Sequence, residues 1–292
     1  MVTTIEIDYP VNFSFKRTAE SHGWYDLPPF NYDPDAGLLS YVARIGGSVA
    51  SVTFEDASEK LLVKFEGDGV EKEDIVSAVK HILRFDDELG AFYSIANVDK
   101  GLLWASELGA GRMLRSSTVW EDLVKTICTT NCSWALTRKM VVNLVEKLGD
   151  RSVGNKTAFP TAVAMAEMDV AFYRDEIRAG YRSQYFVELA GSVASGAVDP
   201  ESWLTSDLPT PELKKQMKRV KGVGDYAAEN LLKLVGRYDG LALDSFLRSG
   251  FYKKHNKGKP CDDKKIAGHY AKYGEWCGLA IWCDMTSHWY GH

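Results

Sequence analysis

The amino-acid sequence of 292 residues predicts an α+β protein, with a small N-terminal antiparallel sheet packed on a mainly helical body. The segments Ser48–Glu55 and Lys60–Glu66 alternate β-branched or aromatic residues with polar ones, which is typical of strands that bury one face. After about Glu71 the apolar residues instead recur at i, i+3 and i+4 spacing, as in an amphipathic helix. This change of period predicts a sheet-containing domain with following helices over 1–110 and a helical domain over 111–292.

The predicted strands lie close together and are separated by turn residues. Leu38–Gly46 is a further predicted strand, just ahead of the two above. The dipeptides Pro28-Pro29 and Asp33-Pro34 favour irregular chain with short extended pieces, because a residue before proline is restricted to extended backbone. We therefore expect a small antiparallel sheet to open the protein.

Helical segments fill the rest of the chain. Thr118 is a predicted N-cap, and Pro209 and Pro211 stand where proline suits the first turn of a helix. The predicted helices are Val119–Cys128, Trp134–Leu148, Thr161–Ala166, Asp169–Ile177, Arg182–Ser195, Leu213–Val220, Tyr226–Val235, Asp244–Tyr252, Lys264–Tyr273 and Leu279–Trp289. A cleft between the sheet domain and the helical body is the expected place for a site.

The composition is that of an ordinary soluble globular protein, with 45% apolar and 26% charged residues. No apolar run reaches the roughly 18 residues of a transmembrane helix. Met1–Pro10 lacks the basic and apolar regions of a secretory signal. We therefore expect no membrane partner. The expected location is the cytoplasm, on the nucleoid, in a prokaryote, or the nucleus in a eukaryote.

Cysteine usage predicts neither disulfides nor a metal cluster. The chain has five cysteines, an odd number that argues against a disulfide framework in a reducing compartment. Cys128 and Cys132 lie four residues apart in a segment that we expect to be helical, and we expect them to pack as small apolar residues. Cys261, Cys277 and Cys283 have no C-x2-C pair, so we expect no iron–sulfur cluster and no other metal ligand set.

Positive charge is concentrated in one segment of an otherwise acidic chain. The formal net charge is −5, but residues 212–272 hold twelve Lys and three Arg against seven Asp or Glu. The formal net charge of this segment is +8, which leaves a net charge of −13 for the rest of the chain. Because attraction to phosphates depends on local charge, the segment predicts one nucleic-acid-facing surface. A solvated helix-and-loop region is the alternative, above all for 253–259 (KKHNKGK).

The most informative motif is 221–228 (KGVGDYAA), which lies between two apolar-periodic runs. Two glycines one residue apart predict a tight turn between two helices, a helix–hairpin–helix over about 212–236. Gly222 and Gly224 allow close approach of the backbone to a phosphate, and the N-terminus of the second helix offers N–H groups to an anion. Asp244 follows Tyr226 by 18 residues and stands just ahead of another helical run.

Three earlier segments accompany this motif: 114–127 (LRSSTVWEDLVKTI), 131–140 (NCSWALTRKM) and 180–185 (GYRSQY). In this order, and together with 220–228 and Asp244, they resemble the helix–hairpin–helix (HhH-GPD) DNA glycosylase superfamily. They correspond to its first core helix, its wedge-loop segment, its Gly-Phe-Arg-x-x-Tyr stretch, and its hairpin with the following acid. The similarity covers about residues 110–250. The sheet ahead of it extends the resemblance to the alkylpurine (3-methyladenine) and 8-oxoguanine branches.

The resemblance implies that Asp244 is catalytic. These enzymes flip a damaged base out of double-stranded DNA, and a carboxylate then stabilises an oxocarbenium-like sugar or deprotonates water. The residue-level alternative is that Asp244 caps the helix that follows, and the two roles are compatible. The resemblance also implies that the hairpin backbone binds DNA, with a K⁺ or Na⁺ ion at its carbonyls as a possible ligand. No other cofactor is expected. The family usually acts as a monomer.

The DNA-binding residues that we predict are in the hairpin and around it. Asn131 matches the position from which family members fill the gap left by the flipped base, although it is also a candidate cap for the helix at Trp134. Lys221 and Lys233 are expected to meet phosphates. The full predicted DNA-binding set is Val220, Lys221, Gly222, Val223, Gly224, Asn131 and Arg248.

Tyr226 stands where bifunctional members carry the lysine that forms a Schiff base. A phenol cannot form an imine and, with a pKa of about 10, is a poor nucleophile at neutral pH. Tyr226 is therefore expected to pack on the flipped base or to bond near Asp244, unless it only packs between helices. This departure predicts a monofunctional glycosylase without lyase activity.

The predicted substrate is an alkylated purine such as 3-methyladenine. Such bases are often cationic, and an electron-rich aromatic pocket attracts them. Trp24, Trp282 and Trp289 are the candidate walls, although core packing is the alternative for each. Other hypotheses stay open: a glycosylase for 8-oxoguanine, uracil or a mismatched base, and a non-catalytic DNA-binding or damage-sensing module.

Overall fold

The structure, a computed structural model, describes residues 2–152 and 154–291. Met1 and His292, the outer ends of the two predicted domains, lie outside this range, as does Val153. Its architecture is the predicted one, with a small antiparallel sheet on a mainly helical body.

The sheet has five antiparallel strands in the order β1-β5-β4-β3-β2. The three predicted strands are confirmed as β3 (Leu38–Ile45), β4 (Ser48–Asp56) and β5 (Lys60–Glu66). Two edge strands come before them: β2 (Asn31–Asp33), which is one of the short extended pieces expected there, and β1 (Thr3–Asp8), which was not predicted. β2 has only three residues, too few for alternation to show, and only one residue of β1 is buried.

One face of the sheet forms a core with the first long helix. Alternate residues of β3, such as Leu39 and Tyr41, are fully buried, and the register sets Tyr41 opposite Val52 on β4. Side chains two residues apart share a face of a strand, so this alternation builds an apolar surface. Ile75 and Val79 of the helix 72–83 are buried in the same core.

The helices agree with the predicted ones to within three residues at each end, and the amphipathic pattern after about Glu71 forms α2. The short helices α1, α3 and α4 were not predicted. The helices are α1 (Phe15–Ala19), α2 (Lys72–Leu83), α3 (Gly90–Ala96), α4 (Leu103–Glu107), α5 (Val119–Thr129), α6 (Trp134–Leu148), α7 (Ala162–Ala166), α8 (Val170–Asp175), α9 (Ser183–Ala194), α10 (Thr210–Met217), α11 (Asp225–Leu234), α12 (Ser245–His255), α13 (Asp263–Tyr270) and α14 (Cys277–Thr286). Short 3-10 turns occupy Gly23–Asp26, Gly180–Arg182, Glu201–Thr205, Ala271–Trp276 and Ser287–Tyr290. Across residues 2–152 and 154–291, no helix combines the length and apolar character that crossing a bilayer requires.

The buried residues form two apolar cores. The first joins the sheet and α2 to the central helices from α5 to α11. The second joins α3 and α4 to the C-terminal helices α12, α13 and α14. Each core therefore takes residues from both sides of the predicted boundary between 1–110 and 111–292, and that division remains a prediction.

A buried polar joint fixes the N-terminal part against α5. The Tyr41 hydroxyl donates to Glu121 at 2.6 Å, and Glu121 forms an ion pair with Lys125 at 2.6 Å. The Trp24 indole N–H donates to Asp122 at 2.7 Å. All five side chains are buried, so each polar group needs the partner that it has. The joint sets the position of Trp24 relative to α5.

Candidate DNA interface and active-site cleft

A cleft of about 1280 Å³ lies between the N-terminal part, the turn before α11 and the C-terminal helices. It brings together every residue that the sequence singled out for a site except Lys233. These are Asp244, Tyr226, Val220, Lys221, Gly222, Val223, Gly224, Asn131, Arg248, Trp24, Trp282 and Trp289. Their common location is a property of the fold, whereas their individual roles remain predictions.

The turn between α10 and α11 is tight. Val223 N–H donates to the Val220 carbonyl at 3.0 Å, which closes the turn. Gly222 has a φ of 90°, a left-handed conformation that L-residues rarely adopt. A Cβ at Gly222 would stand 2.9 Å from the Tyr185 ring. Glycine is therefore required here both by backbone conformation and by space.

The N-terminus of α11 is open to the cleft. Gly224 caps the helix without a side-chain hydrogen bond, and a Cβ added to it would meet no atom within 4 Å. The first N–H groups of a helix have no intrahelical acceptor, and the helix dipole is positive at this end. Lys221 is exposed beside them, with Nζ 5.9 Å from the centre of the Tyr185 ring. These groups together suit a phosphate.

Asp244 caps α12 and also faces the cleft. One carboxylate oxygen, Oδ1, accepts from Leu247 N–H at 2.7 Å. Within the described part of the chain the other oxygen, Oδ2, has no hydrogen-bond partner. The side chain is half-buried. The capping bond therefore fixes the carboxylate and leaves one oxygen available for chemistry.

Tyr226 lies in the first turn of α11 and is half-buried in the cleft wall. Burial raises the pKa of its phenol, and the negative charge of Asp244 raises it further, while a hydrogen bond from Thr129 acts in the opposite direction. Because the pKa is raised above 10, the phenol stays protonated at neutral pH.

Lys233 cannot meet phosphates, so this prediction was wrong. It is fully buried, and its Nζ donates to the Leu241 carbonyl at 3.1 Å. The ammonium also lies 5.7 Å from the centre of the Trp282 ring. Burial lowers the pKa of Lys233 to about 8. The apolar period of α11 explains the error, because position 233 lies on the inward face of that helix.

Asn131 is exposed in the turn between α5 and α6, with a φ of 46°. The alternative role of helix cap belongs instead to Ser133, whose hydroxyl accepts from Leu136 N–H at 3.4 Å. Asn131 is thus free to reach into the cleft. The same turn corrects the expectation for the cysteines. α5 ends at Thr129, so Cys132 lies beyond the helix that holds Cys128.

Arg248 has acceptors inside the protein. Its guanidinium binds Asp263 through two hydrogen bonds of 2.9 and 2.8 Å, and Nη1 donates to the Leu243 carbonyl at 3.1 Å. A bidentate pair of this kind holds the guanidinium plane in one orientation. The side chain lines the cleft, but its contact with DNA remains a prediction.

The predicted aromatic wall is larger than expected. Trp282 and Trp289 meet edge to face, with ring centres 5.9 Å apart. Phe246, which sequence analysis did not single out, lies 5.7 Å from Trp289 and 6.3 Å from Trp282. Trp24 is held more rigidly, because it is buried and bonded to Asp122. Phe246 follows Asp244 by two residues, and an aromatic residue so close to the predicted catalytic acid was the available signal.

Two further aromatic residues lie near the hairpin. Tyr181 is 52% exposed and packs edge to face on Tyr185, with ring centres 5.8 Å apart. Both line the cleft. Arg182 beside them is buried, and it donates to the Ile127 carbonyl at the end of α5 at 3.1 Å. The segment 180–185 carried the resemblance, but only the fold shows that its tyrosines face the cleft.

The basic segment 212–272 is partly neutralised by its own neighbours. Lys214 and Lys218 form ion pairs with Asp225, both at 3.0 Å. The other ion-paired basic residues of the segment are Lys215, Arg248, Lys254 and Lys272. The exposed positive charge that remains at the cleft is therefore concentrated around the hairpin.

One group of side chains has the ligand types of a metal site. The nearest ligand atoms of His255, His269 and Asp284 lie within 4.8 Å of one another. The Asp284 carboxylate is already bonded to His255 at 2.6 Å, to Tyr270 at 2.5 Å and to Lys254 at 2.7 Å. Because a lysine and a tyrosine occupy it, we interpret this group as a structural network of the C-terminal helices. All five cysteines are free thiols.

The comparisons with known proteins agree on the fold. No family model and no curated protein sequence matches the chain. Among solved structures, MBOgg1 in complex with a low-affinity DNA ligand has a TM-score of 0.80 at 21% identity, covering 99% of this chain and 97% of that chain. The 3-methyladenine DNA glycosylase from Archaeoglobus fulgidus has a TM-score of 0.78 at 18% identity, covering 99% and 100%. The 8-oxoguanine glycosylase/lyase from Clostridium acetobutylicum, in its apo form, has a TM-score of 0.77 at 18% identity, covering 98% of this chain and 98% of that chain.

These similarities span nearly the whole chain, from the sheet to the C-terminal helices. The protein has the fold of the helix–hairpin–helix DNA glycosylases, as the four motifs predict.

Proposed function

We propose that this protein is a monofunctional DNA glycosylase that hydrolyses the N-glycosidic bond of a damaged purine in double-stranded DNA. One observation carries the proposal. A single cleft holds a carboxylate with a free oxygen, Asp244, together with a glycine hairpin open to phosphate and an aromatic wall. The fold shared with known DNA glycosylases supports it.

The chemistry follows from these groups. The hairpin and the N-terminus of α11 bind the DNA backbone, and the flipped base enters the cleft. As the bond between C1′ and the base nitrogen breaks, its electron pair leaves with the base and positive charge develops on the sugar. The Asp244 carboxylate stabilises this charge and accepts a proton from the water that attacks C1′.

We propose no lyase step, because neither Tyr226 nor Lys233 can act as the amine nucleophile that such a step needs. Tyr226 stands at the expected position of the Schiff-base lysine, and its raised pKa keeps it a neutral phenol. The amine of Lys233, on the same helix, is buried and donates to the Leu241 carbonyl. Neither group offers an exposed amine to the sugar.

An alkylated purine is the proposed substrate class. The rings of Trp282, Trp289 and Phe246 present π-faces and edges to the cleft, and a cationic base stacks favourably on such a wall. An oxidised purine is the second candidate, because one of the three similar structures is by its name an 8-oxoguanine glycosylase/lyase.

A panel of duplexes, each with one lesion, tests the proposal. We expect release of free 3-methyladenine or a related alkylpurine, with strand breaks only after alkali. Breaks without alkali, together with borohydride trapping of a covalent complex, would contradict the monofunctional assignment. Release of 8-oxoguanine instead would select the second candidate. A monomeric mass in solution with one bound duplex is expected, and dependence of binding on K⁺ or Na⁺ tests the possible ion at the hairpin.

Asp244→Asn separates catalysis from binding. Asparagine caps a helix as well as aspartate does, so α12 and the fold should persist. Because the amide cannot accept a proton or stabilise the cationic sugar, we expect the single-turnover rate of base release to fall by about 10²-fold or more. Binding of a duplex with an abasic-site analogue should stay within about threefold. If the variant retains full activity, Asp244 is not the catalytic acid–base group. Tight binding by the wild type with no release of any lesion would favour a non-catalytic DNA-binding module.

A further inference from the structure

The segment 241–244, which ends at the proposed catalytic carboxylate, has a strained backbone at a residue that is not glycine. Ala242 has a φ of 51°, in the left-handed region, and is buried. An L-residue in this region carries a steric cost from its Cβ, so surrounding contacts must hold it there. Ala242 is only two residues from Asp244. The conformation at Ala242 therefore sets the direction in which the Asp244 side chain leaves the chain.

Two charged side chains on α11 hold this segment. Glu229 accepts from Ala242 N–H at 2.5 Å, and Lys233 donates to the Leu241 carbonyl at 3.1 Å. The two residues are four apart, so they lie on one face of the helix, one above the other. Both therefore contact the peptide group that joins Leu241 and Ala242. Glu229 accepts from its N–H, and Lys233 donates to its carbonyl.

Each of these side chains is itself fixed. The second oxygen of Glu229 pairs with Lys214 on α10 at 2.6 Å, and its carbon chain packs on Gly240, where an added Cβ would stand 3.2 Å from it. Lys233 is fully buried, with its ammonium against Trp282. Burying an ammonium is costly unless its hydrogen bond is retained, so Lys233 at this place needs a reason other than apolar packing.

We infer that Glu229 and Lys233 are positioning residues that hold the Ala242 turn and thereby aim the Asp244 carboxylate at the sugar of the flipped nucleotide. The inference rests on the proposed glycosylase function. It adds a link between the helix of the DNA-binding hairpin and the catalytic acid, since α11 carries Tyr226 and both positioning side chains.

The test uses methionine variants that keep volume and remove the polar group. In Glu229→Met and Lys233→Met, we expect the single-turnover rate of base release to fall by about tenfold to a hundredfold, because small misplacements of a catalytic group have effects of this size. Binding to a duplex with an abasic-site analogue should change by less than about threefold. Glu229→Gln, whose amide oxygen can still accept from Ala242, should recover most of the rate. Lys80→Met, an exposed change on α2, is the control.

A double-mutant comparison distinguishes positioning from general damage. In the Asp244→Asn background, the Glu229→Met change should cause no further loss, because there is no carboxylate left to aim. A further loss there, a rate within about twofold of wild type in both methionine variants, or a parallel loss of DNA binding would overturn the inference.

Hydrogen exchange gives a readout that does not need activity. Leu247 N–H is bonded to Asp244, so its exchange reports where the carboxylate lies. We expect exchange at Leu247 to be faster in both methionine variants, by about fivefold or more, and unchanged in Lys80→Met. Unchanged exchange at Leu247 in both methionine variants would overturn the inference, whether or not the wild type releases a base. If the wild type releases no base, that result alone contradicts only the proposed function.

Ala242→Gly provides a variant that should fold in any case. Glycine adopts a φ of 51° without a Cβ penalty, but it also leaves the turn free to move. We expect normal folding and a rate of base release that is threefold to tenfold lower, because a more mobile turn positions the Asp244 carboxylate less accurately. A wild-type rate in Ala242→Gly would mean that the turn does not control Asp244.

Discussion

Tyr226 combines three properties that decide what chemistry its position allows. It lines the cleft, it lies close enough to Asp244 for the carboxylate charge to raise its pKa, and it is half-buried. A group with a raised phenol pKa is neither a nucleophile nor a general base near pH 7. In the proposed mechanism, its contribution is then a hydrogen-bond donor and an aromatic face beside the flipped nucleotide.

Substitution of Tyr226 tests this account. Tyr226→Phe keeps the ring and removes the hydroxyl, so we expect the rate of base release to stay within about tenfold of wild type. Tyr226→Lys places an amine beside Asp244, and we expect borohydride to trap a covalent complex with DNA that the wild type does not form. A hundredfold loss in Tyr226→Phe would show that the hydroxyl takes part in the chemistry. Absence of trapping in Tyr226→Lys would show that this side chain does not reach the sugar.

The hairpin is the element in which two glycines have different physical requirements. Gly222 needs its left-handed backbone and the space against Tyr185, whereas Gly224 has an ordinary φ of −89° and open space around it. Gly222→Ala should therefore lower the free energy of unfolding by about 1–2 kcal/mol, as measured by denaturant titration.

Gly224→Ala should leave the stability within about 0.5 kcal/mol of wild type, yet weaken DNA binding if a phosphate approaches this backbone closely. Fluorescence anisotropy with an abasic-site duplex measures the binding. The pair separates a folding requirement from a binding requirement within one turn. Unchanged DNA affinity in Gly224→Ala would place the phosphate elsewhere on the cleft.

Periodic elements could be predicted from the sequence, whereas contacts between elements could not. β4 and β5 alternate over seven or more residues, so their pattern is visible, but the three residues of β2 carry no period. Asp244 and the hairpin are recognisable because their spacing along the chain is fixed. Lys233 was misassigned because a lysine on an inward helix face is rare, and its partner, the Leu241 carbonyl, is a backbone group that only the folded turn brings near.

At the scale of the whole molecule, two arginines ahead of α5 contact the end of the hairpin helix α11: Arg84, which is buried, and Arg115, which is half-buried. Arg84, at the C-terminus of α2, donates to the carbonyls of Lys233 and Leu234 at 2.9 and 3.2 Å. Arg115 donates to Leu234 at 2.5 Å. These are the last carbonyls of α11, which have no intrahelical donor and lie at the negative end of the helix dipole. The far end of the hairpin helix is therefore fixed against the N-terminal part of the chain, and the cleft between them keeps a defined width.

The same junction makes the fold sensitive to acid. His22 is buried beside Trp24 and bonded to the Leu114 carbonyl at 2.7 Å. Burial lowers its pKa from 6.5 to about 4, an effect that the bond to Leu114 only partly offsets. In the unfolded chain the imidazole has its ordinary pKa, so between pH 6.5 and 4 the unfolded state binds more protons. The contribution of His22 to stability is thus complete above pH 6.5 and is lost as the pH falls through this window.

His22→Gln removes the titrating group and keeps a donor for the Leu114 carbonyl. We expect the fall in unfolding free energy between pH 6.5 and 4 to be smaller in this variant than in the wild type, by up to about 3 kcal/mol. The same substitution at an exposed histidine, His288→Gln, is the control. Denaturant titrations at several pH values measure both. Equal pH dependence in the wild type and His22→Gln would mean that the imidazole is not held neutral at the junction. The buried carboxyls of the α5 joint, Glu121 and Asp122, act in the opposite direction. The pKa values of these two carboxyls are raised by burial, so their protonation in acid favours the folded state and opposes the loss at His22.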